Sequence, residues 1–483
     1  MQYLQLMAAP TGPADDNLVF LVEKSALDQL QNRLQPAETA FLRQSAAKGV
    51  QSFFFPQADR AVFVQLLESA ADTTSRLEQA RLCGNGLLRE MQHYKVDAAT
   101  VHSFCNDETT LAFFEGLMLG NYQFARYVSV PDKKTPPLKS LHWAHENAPH
   151  EAVAELNAVA QAVLLARDLV NEPHSHFDTL KLAEAAREAG RACGFSVNVL
   201  EKETIESLGM GGLLAINQAS SVPPRFCILE WKPANARNAH PVVLIGKGVV
   251  YDTGGLSLKT PEGMESMKCD MAGAAAVIGA ISAAAQVEMP IHIVGLIPAT
   301  DNKVGDNAVM PGDVIRMYSG TTVEVTNTDA EGRIILADAL HYAKQYEPEL
   351  VLDIATLTGA AVRALGSQAI CYMGTAGTTV KRALEDSGFR TYERLVELPL
   401  WKEYGEELKS NVADLKNMGH GPAGMISAGK FLEHFADYPW LHLDIAGPAY
   451  LRAPNGYRPK DGTGVGVRLL FDFLKQYHSW KTT

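Results

Sequence analysis

The chain has 483 residues, enough for two or three domains with a substantial core. It is 47% hydrophobic and 20% charged, an ordinary soluble composition, and 55 acidic against 43 basic residues leave a net charge of −12. That balance argues against a dedicated nucleic-acid binder, and six cysteines with no CxxC pair argue against a disulfide scaffold and read as reduced, mostly buried thiols of a cytosolic protein.

The N-terminal run MQYLQLMAAPTGPADD has no basic segment followed by an apolar one, so no signal peptide is expected. NLVFLV and SFFFP predict strands, and the runs from Thr73 to Tyr94 and from Thr110 to Val128 predict helices. The Pro- and Lys-rich stretch PDKKTPPLKS (131–140) reads as a surface linker. An amphipathic helix is predicted from about Glu151 to Val170, ended by NEPHS. From about residue 170, buried-strand patterns (PVVLIGKGVV, IHIVGLIPA, LVLDIATLTG, LHLDIAG) alternate with helical ones (AGAAAVIGAISAAAQ, GRIILADALHYAKQY). Such alternation predicts an α/β fold with a mostly parallel or mixed sheet flanked by helices. The expected organisation is a smaller N-terminal α/β domain over 1–130, a linker and connecting helix over 131–170, and a larger C-terminal α/β domain over 171–483. The apolar run from Met271 to Val287 is too short to span a bilayer, and no membrane segment is expected.

Charged residues gather where apolar runs end. Lys247 and Asp252 flank glycines in GKGVVYDTGG, Lys259 and Asp270 follow, and NTDAEGR supplies Asp329, Glu331 and Arg333. In open α/β sheets the ligand crevice lies at the carboxyl ends of strands, where these segments can converge. Four converging carboxylates would repel one another unless cations hold them, and oxygen-rich ligands without histidine suit Mg²⁺, Mn²⁺ or Zn²⁺. Taken singly, each Asp reads more readily as a helix cap or a surface charge. Three other motifs carry no site. HENAPH (145–150) spaces its histidines five apart, about 140° around a helix, with Pro149 between them. LIGKGVVY has Tyr251 where a dinucleotide loop needs its third glycine, and GTGVGV (462–467) has no βαβ unit after it.

Together, NTDAEGR, GKGVVYDTGGLSLK, ADLKNMG, MISAGKFL and HLDIAGPA resemble the leucyl aminopeptidases, the M17 cytosol aminopeptidase family, over roughly residues 165–475. Tyr251 and Thr253 stand where Phe and Ser are commoner in that family. The resemblance implies a catalytic metallopeptidase domain over 171–483 that releases N-terminal residues, leucine and other apolar ones, from peptides. It implies five metal ligands, Lys247, Asp252, Asp270, Asp329 and Glu331, for two divalent ions, Mn²⁺ or Zn²⁺. It implies two catalytic side chains: Lys259 stabilising the oxyanion, and Arg333 holding bicarbonate as general base. Met267, Asn327, Thr356, Leu357 and Gly359 fall on positions that line the substrate pocket. It also implies short peptides with a free N-terminus as substrates, a homohexamer, a cytoplasmic location, and no membrane or nucleic-acid partner.

The residue types suit those roles. Read as an extended strand end, NTDAEGR would point Asp329, Glu331 and Arg333 into one crevice, since residues two apart share a face. Arg333 stays cationic and suits a small planar anion, and Gly332 allows close backbone approach. A nearby dication would favour the neutral, ligating amine of Lys247. A two-metal phosphoesterase is the rival enzyme class, but histidines are expected among its ligands. A DNA-binding regulator on the same scaffold is disfavoured by the net charge, and a catalytically dead homologue by the seven intact residues.

Overall fold

The structure, a computed structural model, describes residues 3–13, 17–58, 60–130 and 137–481. The chain divides into two compact units, residues 1–164 with 453–459, and residues 165–452 with 460–483. Both are α/β, which makes this a two-domain α/β fold with the larger unit C-terminal.

The first unit is built on a six-stranded sheet of β1 (Leu6–Ala9), β2 (Asn17–Glu23), β3 (Ser52–Pro56), β4 (Ala61–Leu67), β5 (Ala98–Ser103) and β6 (Ser140–Ala144) in the order β1-β6-β5-β2-β4-β3. All neighbours pair in parallel except β3 with β4. β6 lies inside the stretch expected to be linker, while residues 131–136 of that stretch lie outside the described residues. Helix Asp107–Gly120 begins where Asn106 Oδ1 accepts the Thr109 N–H at 2.9 Å. It stops eight residues short of the sequence reading. Asn121 both donates to the Leu138 carbonyl (2.9 Å) and accepts its N–H (2.8 Å), so the chain turns off there.

Among the described residues, the strands of the second unit are β7 (Ser196–Leu200), β8 (Arg225–Trp231), β9 (Val242–Gly246), β10 (Gly248–Asp252), β11 (Ile293–Asn302), β12 (Val314–Arg316), β13 (Thr322–Glu324), β14 (Leu350–Ala355), β15 (Ile370–Gly374), β16 (Leu395–Glu397), β17 (Leu415–Lys416), β18 (Trp440–Asp444) and a two-stranded pair, β19 (Tyr450–Leu451) and β20 (Asp461–Gly462). Nine of them form one mixed sheet, β16-β15-β18-β14-β9-β11-β8-β7, with β10 also paired to β11. β9, β10, β11, β14 and β18 run parallel, and their apolar residues are buried on both faces. β8 and β15 pair antiparallel to this block. The run VVLIGKGVVYD is thus two strands, not one. It breaks at Lys247, whose N–H still donates to Ile354 of β14 at 3.1 Å, while β10 moves on to pair with β11. The strand before NTDAEGR belongs to a separate three-stranded sheet, β12-β13-β17.

Helices Ala272–Gln286 and Glu331–Ala343 pack on the sheet. Side chains of the second, among them Ile334, Ile335 and Leu336, share a core with Val243 and Ile245 of β9 and Val351 of β14. β9, β14 and β18 therefore end together, while β10 and β11 run on side by side to Asp252 and Asn302.

Candidate functional site

Lys247 follows β9, Asp252 ends β10, and Asp270 sits on the 3₁₀ turn Met267–Met271. Asp329 lies in the turn before helix Glu331–Ala343, and Glu331 is that helix's first residue. Lys247 Nζ stands 2.7 Å from Asp270 Oδ2 and 2.8 Å from Glu331 Oε1. Lys259 Nζ stands 2.7 Å from Asp252 Oδ2 and pairs also with Asp329. Oxygens of Asp252, Asp329 and Glu331 lie within 4.8 Å of one another. The fold thus brings all five expected ligands and Lys259 into one cluster.

The extended reading of NTDAEGR does not hold. Asn327 Oδ1 accepts the Asp329 N–H at 2.8 Å, folding the segment into a turn, and Glu331 is already helical. The two carboxylates still meet, because a tight turn and a helix start replace strand alternation. Arg333, in the helix's first turn, is buried with its Nη1 donating to the Asn417 carbonyl at 3.0 Å. Its hydrogen bond goes there rather than to the carboxylates. Asn417 also accepts the Thr326 N–H (2.9 Å) and donates to the Asn327 carbonyl (2.7 Å), pinning the turn from below.

Of the expected pocket residues, Thr356 closes the cluster: its Oγ1 donates to Asp270 Oδ1 at 2.8 Å, and its carbonyl accepts from Lys247 Nζ at 3.1 Å. Leu357 is half-buried and Gly359 exposed just beyond it. Met267 opens the turn that carries Asp270, and Asn327 is spent on holding Asp329.

Three supporting residues were given no role by the sequence. Asn302 at the end of β11 donates to Asp252 Oδ1 at 2.8 Å and to the Thr328 carbonyl at 3.0 Å. Asn417 and Asp444 lie in ADLKNMG and HLDIAGPA, where the resemblance pointed but no role was assigned. Deeper in the sheet, Asp353 of β14 accepts from the Trp440 indole (2.6 Å) and meets His442 Nδ1 (2.5 Å), all three fully buried.

Burial and crowding of like charges set the electrostatics. Burial, then Glu331, pushes the Asp252 carboxyl up to about 7 against the pull of Lys259 and Lys247. Burial likewise holds Asp270 well above the usual carboxylate range, and burial and Glu331 raise Asp329. Burial would raise Glu331 too, but Lys247 and Lys259 outweigh it and hold that carboxyl low. Burial opposes charge on both lysines, yet the surrounding carboxylates keep them above ordinary lysine values. Burial draws Arg333 down to about 10.

This donor set fits divalent cations. Four carboxylates face two ammonium groups, and Glu331 Oε2 is buried with no hydrogen-bond partner among the described residues.

The sequence profile of the cytosol aminopeptidase family, catalytic domain, matches residues 164–471. A probable cytosol aminopeptidase of Geobacter sulfurreducens is 44% identical over 427 residues, covering 86% of this chain and 85% of that one. Among solved structures, the bottromycin maturation enzyme BotP in complex with Mn superposes with a TM-score of 0.85 at 33% identity, covering 96% of this chain and all of that one. A mutant of tomato leucine aminopeptidase gives 0.86 at 28% identity, covering 98% and 96%. The chain belongs to the cytosol aminopeptidase family and is a metallo-aminopeptidase, a hydrolase acting at peptide N-termini.

Proposed function

We propose that the enzyme releases leucine and other apolar N-terminal residues from short peptides, using two divalent ions, Mn²⁺ or Zn²⁺, held by Lys247, Asp252, Asp270, Asp329 and Glu331. The observation that carries this reading is the cluster of four carboxylates, three of them buried, around two lysines. Bound there, the ions would activate water, polarise the scissile carbonyl and anchor the free amine. Lys247 serves them as the neutral amine, since a dication among the same oxygens reverses the preference that carboxylates alone impose. Lys259 keeps its proton and, with 17% of its side chain open, can reach an oxyanion forming on the substrate. Arg333 offers a fixed guanidinium to a small planar anion, and bicarbonate is the proposed general base held there. Met267, Asn327, Thr356, Leu357 and Gly359 line the first-residue pocket in this scheme.

The proposal extends to a cytoplasmic homohexamer acting on peptides with a free N-terminus, without a membrane or nucleic-acid partner. Exhaustive chelation should abolish hydrolysis of a leucyl peptide, and Mn²⁺ or Zn²⁺ should restore it. Full activity in a sample shown to be metal-free would overturn the metal roles.

A further inference from the structure

We propose that Asp444 is a positioning residue for the reaction, setting the Thr356–Thr358 turn beside the carboxylate cluster. The idea deepens the aminopeptidase reading and rests on it. Asp444 ends β18, in register with Ala355 at the end of β14, and is 1% exposed. Its Oδ1 accepts the backbone N–H of Leu357 (3.1 Å), Thr358 (3.4 Å) and Ala446 (3.1 Å), and its Oδ2 accepts the Thr358 hydroxyl (2.7 Å). The opposite side of the turn is tied to the carboxylate cluster, by Lys247 donating to the Thr356 carbonyl and Thr356 donating to Asp270. The turn is therefore strung between the cluster and Asp444, with Leu357 and Gly359 left toward the open side.

Four donors converge on this one carboxylate. An amide in its place has a single acceptor oxygen and would turn an N–H₂ toward some of those donors. Asp444 thus sets the backbone of the turn from the side opposite the carboxylate cluster.

Full-length Asp444→Asn, Thr358→Val and Thr358→Ser proteins decide this, by kinetics on Leu-Gly-Gly, metal content per subunit and thermal melting. Thr358→Ser keeps the hydroxyl bond and should hold KM within about twofold of the parent. Thr358→Val removes that bond and should raise KM severalfold, and Asp444→Asn should lower kcat/KM by about tenfold or more, at unchanged metal content. Asp444→Asn with parental kcat/KM would overturn the proposal. So would equal losses in Thr358→Ser and Thr358→Val that track a fall in melting temperature, the mark of a merely structural role. A parent protein that leaves Leu-Gly-Gly intact would instead remove the aminopeptidase reading, and this proposal with it.

Discussion

Gly332 leaves the space that Lys247 fills. A Cβ there would stand 2.6 Å from Lys247 Cε and 2.7 Å from its Nζ. Gly332→Ala should therefore displace the lysine and lower metal occupancy and activity without unfolding the protein, as metal analysis beside circular dichroism would show. The two lysines should fail differently. Lys247→Ala removes a proposed ligand and should lose metal, whereas Lys259→Ala should keep its metal and lose kcat. Equal metal loss in both would mean their roles are misassigned. The buried carboxylates also predict a pH dependence. Asp252 is raised to about 7, so proton binding there favours the metal-free fold at low pH, and that stabilisation is lost as pH rises through about 7. A cation must displace that proton and the one on Lys247, so metal affinity should fall by at least about tenfold for each pH unit well below 7. Melting temperatures with and without Mn²⁺ from pH 5.5 to 8 measure this, and a metal-induced shift that does not grow with pH would contradict it. At this scale the sequence was most legible where a residue's chemistry is unusual for its setting: lysines and carboxylates among glycines at the ends of apolar runs. Asn302, Asn417 and Asp444 stayed hidden because a supporting amide or strand-end Asp has no spacing of its own. Only their partners in space reveal them.

The elements place these groups by interruption. Breaking one apolar run at Lys247 sets that lysine between the end of β9 and the start of β10, and starting a helix at Glu331 puts a carboxylate where the helix dipole favours it. Periodicity shows the apolar runs but not the break, since a buried strand before and after Lys247 reads the same. The alternating reading of NTDAEGR failed for a related reason: the Asn327 side chain bonds the backbone locally and competes with extension. Asn417 holds that turn in place, and it is fully buried. Asn417→Ala would leave the Thr326 N–H and Asn327 carbonyl without these partners, a cost of about 1–3 kcal/mol for each such group. It should lower stability and loosen Asp329 and Glu331, which chemical denaturation and metal titration would register together. Parental values in both would contradict the role given to the turn.

For the whole molecule, composition and strand–helix alternation were enough to predict an α/β chain with its chemistry in the larger C-terminal part. The finer division was less legible, because β6 lies within residues 131–170, which read as linker and connecting helix, yet joins the first sheet through backbone pairing. Residues 261–286 are long and apolar enough by composition to cross a bilayer, yet 94% of their most apolar window is buried in the protein, as befits a core helix. The proposed hexamer predicts a sedimentation coefficient several times that of a 52.4 kDa subunit, and a stable, active monomer would refute it. The most direct test of the enzyme's proposed action concerns which end of the peptide it reads. If the substrate's amine is held at the carboxylate cluster, that amine must be free and neutral when bound. Acetylation removes its basicity and adds bulk at the point of attachment. Leu-Gly-Gly and acetyl-Leu-Gly-Gly, incubated with the Mn²⁺-loaded enzyme and followed by mass spectrometry, separate the outcomes. Release of leucine from the first with the second left intact is the predicted result, and comparable cleavage of both would contradict it.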